Sequence, residues 1–235
     1  MMKKNSERNA AIRFMKKLFI LFIPFIALLA VYFLDDPFMV LKNYERYDQT
    51  PVVLNEGHVG WQMYLNNRDT IPIDSYIMGN SCTMAYQCHE WEKYLHGGRA
   101  VRLFGNAESL AAVCLKLKAL DKAGATIKNL LLIIDKESLH NDRCLTGHSN
   151  ILPGISSFKF QKEFCQAFFY PNFLLPYLDY KLFHTYRPYM KGVINPYGST
   201  RNPVTNDVLN PREKMIKEEG DKYWENRKGE FTKEK

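Results

Sequence analysis

The sequence predicts an α/β domain, a three-layer αβα sandwich with a mainly parallel sheet, preceded by one N-terminal transmembrane helix. Residues 18–34 form an apolar run without a charged side chain. Three apolar strand-like segments then alternate with helix-like segments, and this order favours parallel strands joined by right-handed crossovers. The last of these strands, at 129–134, is apolar without alternation, which is typical of a strand covered on both faces.

The apolar run is seventeen residues long, at the lower limit for a helix that crosses a bilayer. Six basic side chains and one acidic side chain lie in residues 1–17, and Asp35 and Asp36 follow the run. The positive-inside tendency therefore predicts a cytoplasmic N-terminus and a domain outside the membrane. A cleaved signal peptide is the alternative, but the run is long for a signal core. We expect a single-pass protein of the cell membrane that contacts lipid through residues 18–34.

Composition narrows the possible partners and cofactors. The first seventeen residues supply +5 of the formal net charge of +7, so the basic excess belongs to the membrane anchor and nucleic acid is not expected as a partner. The five cysteines include no Cys-x-x-Cys pair, which disfavours a zinc or redox site. We expect them to be small buried apolar residues, and we expect no metal and no cofactor.

The α/β pattern is read from apolar spacing and from the glycines that end its segments. The helix at 108–123 has apolar residues three and four positions apart, as expected for one buried face. In order, the predicted segments are a strand at 73–78, a helix at 85–96, a strand at 100–104, a helix at 108–123 and a strand at 129–134.

Two regions follow the basic N-terminus at 1–17 and the anchor at 18–34. Residues 35–69 are predicted to be a juxtamembrane region, and residues 70–235 the α/β domain, with an aromatic-rich insertion at 155–197. The insertion either packs on the core as helices or rests on the membrane surface, where aromatic side chains are favoured, and core packing is preferred. From residue 200 the chain has turn signals, and 213–235 is a charged helix or tail. Because only three sheet strands are visible, we expect the domain to be incomplete at its C-terminal side.

The candidate site is the segment Gly79-Asn80-Ser81-Cys82-Thr83, at the end of the first strand. A strand that stops at a glycine and enters a helix places its next side chains at the carboxyl edge of the sheet. Backbone N–H groups gather there and suit an oxyanion or a phosphate. Ser81 is therefore the first residue to suspect of chemistry, and a nucleotide-binding glycine-rich loop is absent. The alternative role of Ser81 is to cap the following helix.

This segment resembles the first conserved block of the SGNH/GDSL hydrolase superfamily, and especially its membrane-anchored envelope branch, which has Gly-(Asn/Ser/Asp)-Ser-x-Thr. The stretch at 102–107, with Gly105 and Asn106, lies where that superfamily has its second block. The resemblance covers about a quarter of the chain, residues 73–135. It implies an SGNH or flavodoxin-like fold and acyl transfer or hydrolysis on envelope polymers. Ser81 would be the nucleophile, and the N–H groups of Ser81 and Gly105, with the Asn106 amide, would stabilise the oxyanion.

Two blocks of the superfamily pattern are absent. Asp135 stands where a Gly-x-Asn-Asp block is expected, and it either orients another group or caps a turn. No Asp-x-x-His occurs, so the serine lacks the base that its chemistry needs. The resemblance therefore implies an esterase or acyltransferase for envelope polysaccharide esters, whose activity requires the Asp-x-x-His that is missing here. The alternative is a non-catalytic scaffold or glycan-binding protein that works with a membrane acyltransferase.

Overall fold

The computed structural model describes residues 2–140, 156–195, 200–209, 215–216 and 218–226. The chain divides into two compact units, Met1–Pro37 and Phe38–Lys235.

The first unit is the helix α1, Met2–Asp35. Its segment Ile12–Asp35 is long and apolar enough to cross a membrane, and its side chains are mostly exposed. An apolar N-terminal helix is thus confirmed. It begins earlier than residue 18 because Lys, Arg and Glu are good helix formers and continue the helix through the basic segment.

The second unit alternates helices and strands. Two short 3-10 turns, Ser81–Ala85 and Pro188–Met190, lie between its regular elements. In chain order these elements are α2 Glu56–Asn67, β1 Ile73–Gly79, α3 Cys88–Glu92, β2 Arg99–Phe104, α4 Leu110–Lys122, β3 Asn129–Ile133, α5 Lys136–His140, α6 Ser157–Phe168, α7 Pro171–Phe183, β4 Thr200–Arg201, β5 Val208–Leu209 and α8 Asp221–Asn226.

A parallel three-stranded sheet in the order β2-β1-β3 confirms the predicted α/β class and the three predicted strands. The central strand β1 is buried along its whole length. Because side chains alternate along a strand, Tyr76 and Met78 pack with residues of α2 and α4. Ile77 instead packs in a cluster with Cys88 of α3.

The expectation that 129–134 is covered on both faces is wrong. Leu130 is 39 % exposed and Ile134 is 43 % exposed. The reason is the strand order: β3 lies at the edge of the sheet, and among the described strands it pairs with β1 alone. The apolar run at 129–134 therefore predicted a strand correctly, but it did not predict the position of that strand in the sheet.

The helix predicted at 85–96 is much shorter in the structure. The 3-10 turn Ser81–Ala85 ends at Tyr86, the backbone is extended there and at Gln87, and α3 covers only Cys88–Glu92. The Cys88 N–H donates to both carboxylate oxygens of Asp207, at 3.0 and 3.1 Å. A long-range contact thus fixes where this helix begins. By contrast α4 agrees with its prediction and starts after Ser109, whose hydroxyl accepts from Ala112 N.

The predicted boundary at residue 70 falls inside the compact unit, which starts at Phe38. Within the segment expected to be juxtamembrane, α2 buries Val59 and Met63 against residues 39–54. At Gly60 the helix approaches β2 so closely that an added Cβ would lie 3.3 Å from the Arg102 carbonyl oxygen. This glycine lets α2 contribute to the core of the domain.

The described part of the aromatic insertion, 156–195, forms α6 and α7. Phe164 and Phe173 are buried and pack on Phe38, with ring centroids 5.3 and 4.4 Å apart. Phe164 also lies near His58 of α2. The insertion therefore packs against α2 and the start of the unit. Its opposite side exposes large apolar side chains: Phe158, Leu175, Leu182 and Phe183.

Residues 205–207, here called the edge clamp, cover the outer edge of β2. Arg102 N donates to the Thr205 carbonyl at 2.9 Å, and Asn206 Nδ2 donates to the Arg102 carbonyl at 2.8 Å. The Asp207 carboxylate accepts from Arg102 Nη2 at 2.6 Å. The described turn signals of this region, at 202–203 and 206–207, thus lie in a short β4–β5 hairpin that satisfies the backbone of an edge strand.

The described cysteines differ from their prediction. Cys88 is buried, but Cys82 and Cys114 are exposed and Cys165 is half-buried. These four are free thiols, and Cys144 lies outside the described residues. The prediction of burial is therefore wrong for Cys82 and Cys114, because each lies on the outer side of its turn or helix.

Asp74 joins the beginnings of the three parallel strands. Its carboxylate accepts from Ser75 Oγ at 2.8 Å and Arg99 N at 3.2 Å, and it pairs with Lys128 Nζ at 2.9 Å. Burial acts to raise the pKa of Asp74, but the hydrogen bonds from Lys128 and Ser75 outweigh it and hold that pKa below its usual value. The ionised carboxylate is therefore the form that the fold stabilises.

We expect the Asp74→Asn variant to lose less stability in acid than the wild type. Since the folded pKa is lowered, Asp74 stabilises the protein above its unfolded pKa of about 4, and this contribution disappears as the pH falls through the folded value. Urea unfolding between pH 6 and pH 2 should give a flatter stability profile for Asp74→Asn. The Lys128→Met variant, which keeps the carboxylate, should flatten it only in part. Identical wild-type and Asp74→Asn profiles would contradict this assignment.

Candidate site at the carboxyl edge of the sheet

Ser81 lies where the sequence placed it, two residues past the end of β1 and at the start of the 3-10 turn. Its side chain is half-buried. Across the described ranges of the chain, no group is hydrogen-bonded to the Ser81 hydroxyl. Within the described residues, this hydroxyl therefore makes no structural hydrogen bond.

Asn80, and not Ser81, caps the turn. Asn80 Oδ1 accepts from Cys82 N at 2.9 Å, and the Asn80 carbonyl accepts from the Thr83 hydroxyl at 2.9 Å. Asparagine suits this position because its side-chain oxygen satisfies a backbone donor that the turn leaves without a partner. The alternative role that the sequence left open for Ser81 is thus filled by its neighbour.

Asn80 also connects the ends of β1 and β3. Asn80 Nδ2 donates to Asp135 Oδ2 at 2.5 Å and to Ser138 Oγ at 3.2 Å. Asp135 Oδ1 accepts from the backbone and the hydroxyl of Ser138, at 2.7 and 2.6 Å. Asp135 therefore does both things that the sequence suggested, since it begins α5 and it orients Asn80. Cys82 Sγ lies 4.0 Å from Asp135 Oδ2, beside this network.

Gly105 follows β2 at the same edge of the sheet. Its N–H donates to the Gly79 carbonyl at 3.3 Å and also faces the Glu108 carboxylate. Its role as an oxyanion donor stays a prediction, and in that role the amide would exchange these acceptors for the substrate oxygen. Asn106 is exposed in the next position of the turn. Ala107 then adopts a left-handed conformation with φ +52°, a strain that often accompanies functional loops.

A buried ion pair supports this turn from below. Lys116 Nζ lies 2.7 Å from Glu108 Oε1, and both side chains are almost completely buried. Burial raises the pKa of Glu108 and lowers the pKa of Lys116, and the attraction between the two charges opposes both changes. The pair was not predicted from the sequence. Its signal was a lysine on the apolar face of α4, between Val113 and Leu120.

The described histidine side chains lie elsewhere. His58 packs among aromatic rings, and His184 ends α7 in a left-handed conformation. His89 is exposed and contacts Glu90, with Nδ1 3.9 Å from Asp207 Oδ2. His96 is exposed. Within the described residues, then, no imidazole is hydrogen-bonded to Ser81.

Metal ligands are not grouped in the described part of the chain, where no set of three His, Cys, Asp or Glu side chains could hold an ion. The polar network at the sheet edge consists instead of amide, hydroxyl and single carboxylate groups, of which the amides and hydroxyls can donate to a ligand oxygen and the carboxylate can only accept.

Comparison with known proteins gives no assignment for this chain. No family model matches it. No curated protein matches it, and no solved structure matches it. The geometry of the site is therefore the basis for any functional proposal.

Proposed function

We propose that the chain is a membrane-anchored, extracytoplasmic serine esterase or acyltransferase of SGNH type that acts on cell-envelope polysaccharide esters. The observation that carries the proposal is the Ser81 hydroxyl, which emerges at a strand-to-turn corner with its capping role taken by Asn80. The parallel sheet supports a three-layer αβα arrangement around that corner. The apolar segment of α1 and the basic residues before it support an anchor with the domain outside.

In the proposed reaction the Ser81 oxygen attacks an ester carbonyl, and negative charge develops on the carbonyl oxygen. The ester C–O bond then breaks, the acyl group stays on Ser81, and the alcohol leaves with the proton that the serine hydroxyl gave up. Backbone N–H groups of Ser81 and Gly105, with the Asn106 amide, would stabilise that charge. Losing one such donor typically lowers the rate by about 10²–10³. The hydroxyl needs a base to accept its proton, because serine is a weak nucleophile at neutral pH.

A second function is a non-catalytic scaffold or glycan-binding partner of a membrane acyltransferase. Two observations favour it. Among the described side chains no histidine contacts Ser81, and the Gly105 N–H is donated to the Gly79 carbonyl. In this role the polar edge of the sheet would hold a glycan through amide and hydroxyl groups without turning it over.

Labelling with a serine-directed fluorophosphonate separates the two functions. We expect the full-length protein in lipid nanodiscs to be labelled at Ser81, because only an activated hydroxyl reacts with this reagent. The Ser81→Ala variant should lose the label. The Ser157→Ala variant, which removes an exposed hydroxyl on α6, should keep it. Labelled peptides are identified by mass spectrometry.

The outcomes are exclusive. Label that persists in Ser81→Ala contradicts the proposed nucleophile. A wild-type protein that is neither labelled nor able to hydrolyse a simple acetyl ester contradicts the enzyme and favours the scaffold, which should then co-purify with a membrane acyltransferase.

A further inference from the structure

A cavity of about 520 Å³ opens beside the candidate site. Its volume falls within the range of roughly 300–1,000 Å³ that is usual for small-molecule sites. It lies between the segment before α2, the α6–α7 pair and the loop after the second 3-10 turn. The lining residues used below are Phe38, Val53, Phe164, Phe173, Asn106 and Asn172.

The buried side chains that line the cavity are mostly apolar. Phe38, Phe164 and Phe173 are buried and pack on one another, so their positions are fixed by the aromatic cluster. On the opposite wall, Val53 N donates to the Val193 carbonyl at 2.8 Å. This backbone bond holds two loops together at the mouth. The space is therefore preformed, which lowers the cost of ordering a ligand there.

The rim supplies hydrogen-bonding groups without charge. Asn106 and Asn172 both line the cavity and are exposed. Among the described residues none with a charged side chain lines it. Such a site favours a neutral ligand with a long apolar part, because an ionised group would lose part of its hydration and find no opposite charge among the lining residues.

Asn106 connects the cavity to the chemistry proposed above. It follows Gly105 at the carboxyl edge of β2, and Gly105 N–H is bonded to the Gly79 carbonyl, two residues before Ser81. If the carbonyl group of an ester lies at this edge, its acyl chain would thus be able to extend into the cavity. The space greatly exceeds what an acetyl group needs.

We propose that this cavity binds the acyl chain of a neutral ester, with the chain between the aromatic rings and the ester carbonyl at the asparagine rim. The role of the bound chain rests on the proposed function, which it deepens by naming a medium-length acyl group as the part that is transferred or released.

The test uses the full chain in lipid nanodiscs and a photoreactive probe, the methyl ester of an eight-carbon acid with a diazirine on its chain. After irradiation, mass spectrometry should place the adducts on the residues around Phe164–Phe173 or near Val193. Methyl esters of two to eight carbons should compete with the probe, and each added CH₂ should improve competition about fourfold. Octanoate anion should compete at least tenfold less well than its methyl ester.

Matched variants separate the cavity from the lipid. Val53→Trp should fill the mouth and reduce labelling at least tenfold, and Asn172→Trp should do the same from the opposite rim. Ile127→Trp is the control, since Ile127 is 40 % exposed, Val53 is 41 % exposed, and Ile127 does not line the cavity. It should label like the wild type. Labelling that both blocking variants leave unchanged, or that maps only to α1, overturns the proposal, as does equal competition by the anion.

This result is independent of the fluorophosphonate experiment. The Ser81→Ala variant should keep its cavity adducts, because Ser81 does not line the cavity. Cavity labelling without reaction at Ser81 supports the acyl site while contradicting the proposed enzyme. Reaction at Ser81 without cavity labelling supports the enzyme and overturns the acyl site.

Discussion

The Gly79→Ala variant is expected to lose at least about 3 kcal/mol of folding stability, from strain and overpacking together. Gly79 has φ +138°, and a Cβ at this position would lie 2.3 Å from the Ile133 carbonyl oxygen. That contact is with the backbone of β3, so no side-chain rotation relieves it. The end of β1 must then move away from β3 and take the Asn80–Asp135 bond with it. Thermal unfolding of the full chain, followed by near-ultraviolet circular dichroism, measures the loss.

Gly124→Ala is the matched control for this variant. Gly124 also has a positive φ, of +71°, but an added Cβ there would meet nothing within 4 Å. It should therefore cost about 1 kcal/mol, from backbone strain alone. Equal losses in the two variants would show that conformational strain, and not the approach of β1 to β3, sets the requirement for glycine at position 79.

The Asp207→Ala variant is expected to lose about 3–5 kcal/mol, because it leaves a buried guanidinium without its counter-charge. Arg102 is fully buried, and its Nε and Nη1 atoms already lack hydrogen-bond partners among the described groups. The variant also removes the acceptor for Cys88 N, at the start of α3. Urea unfolding should show the loss as a lower midpoint.

Two further variants test the cause of that loss. Combining Asp207→Ala with Arg102→Met should recover part of the stability, because the isolated charge is then gone. Glu90→Gln, which breaks the exposed pair with Lys93, should leave the midpoint unchanged. If the double variant is less stable than Asp207→Ala, the guanidinium does not need the carboxylate and the explanation is wrong.

The sheet could be predicted because its signals are local. Apolar runs ended by Gly79 and Gly105 marked β1 and β2, and three- and four-residue spacing marked α4. These patterns depend on residues close together in the chain, where side-chain direction follows directly from backbone periodicity. The burial of the two faces of β3 could not be predicted from local patterns, because it depends on which strand is central in the sheet.

The edge clamp shows why other parts were missed. Asn206 and Asp207 carry an ordinary turn signal, and their burial depends on Arg102, more than a hundred residues earlier. Likewise α2 was assigned to a juxtamembrane region because its buried face is completed by β2 and by residues 39–54. Local spacing contains no information on such partners.

At the candidate site the sequence predicted the position of Ser81 and of the turn at Gly105 and Asn106. It did not predict that Asn80 would take the cap and bind Asp135, because that contact requires two parallel strands to end at one edge. The cavity could not be predicted from the sequence either. Its walls come from segments around Phe38, Val53 and Phe164, and only folding brings these together.

The edge clamp also constrains the order in which this protein becomes native during its synthesis. Arg102 and Asp207 are separated by 105 positions. The Arg102 guanidinium therefore has no counter-charge from Asp207 until the intervening residues have been synthesised. Contacts of such large sequence separation slow folding, because the chain loses the entropy of loop closure before the contacts can stabilise it. We therefore expect nascent chains that end before residue 205 to remain protease-sensitive on the ribosome, with resistance arriving in one step once the clamp has emerged.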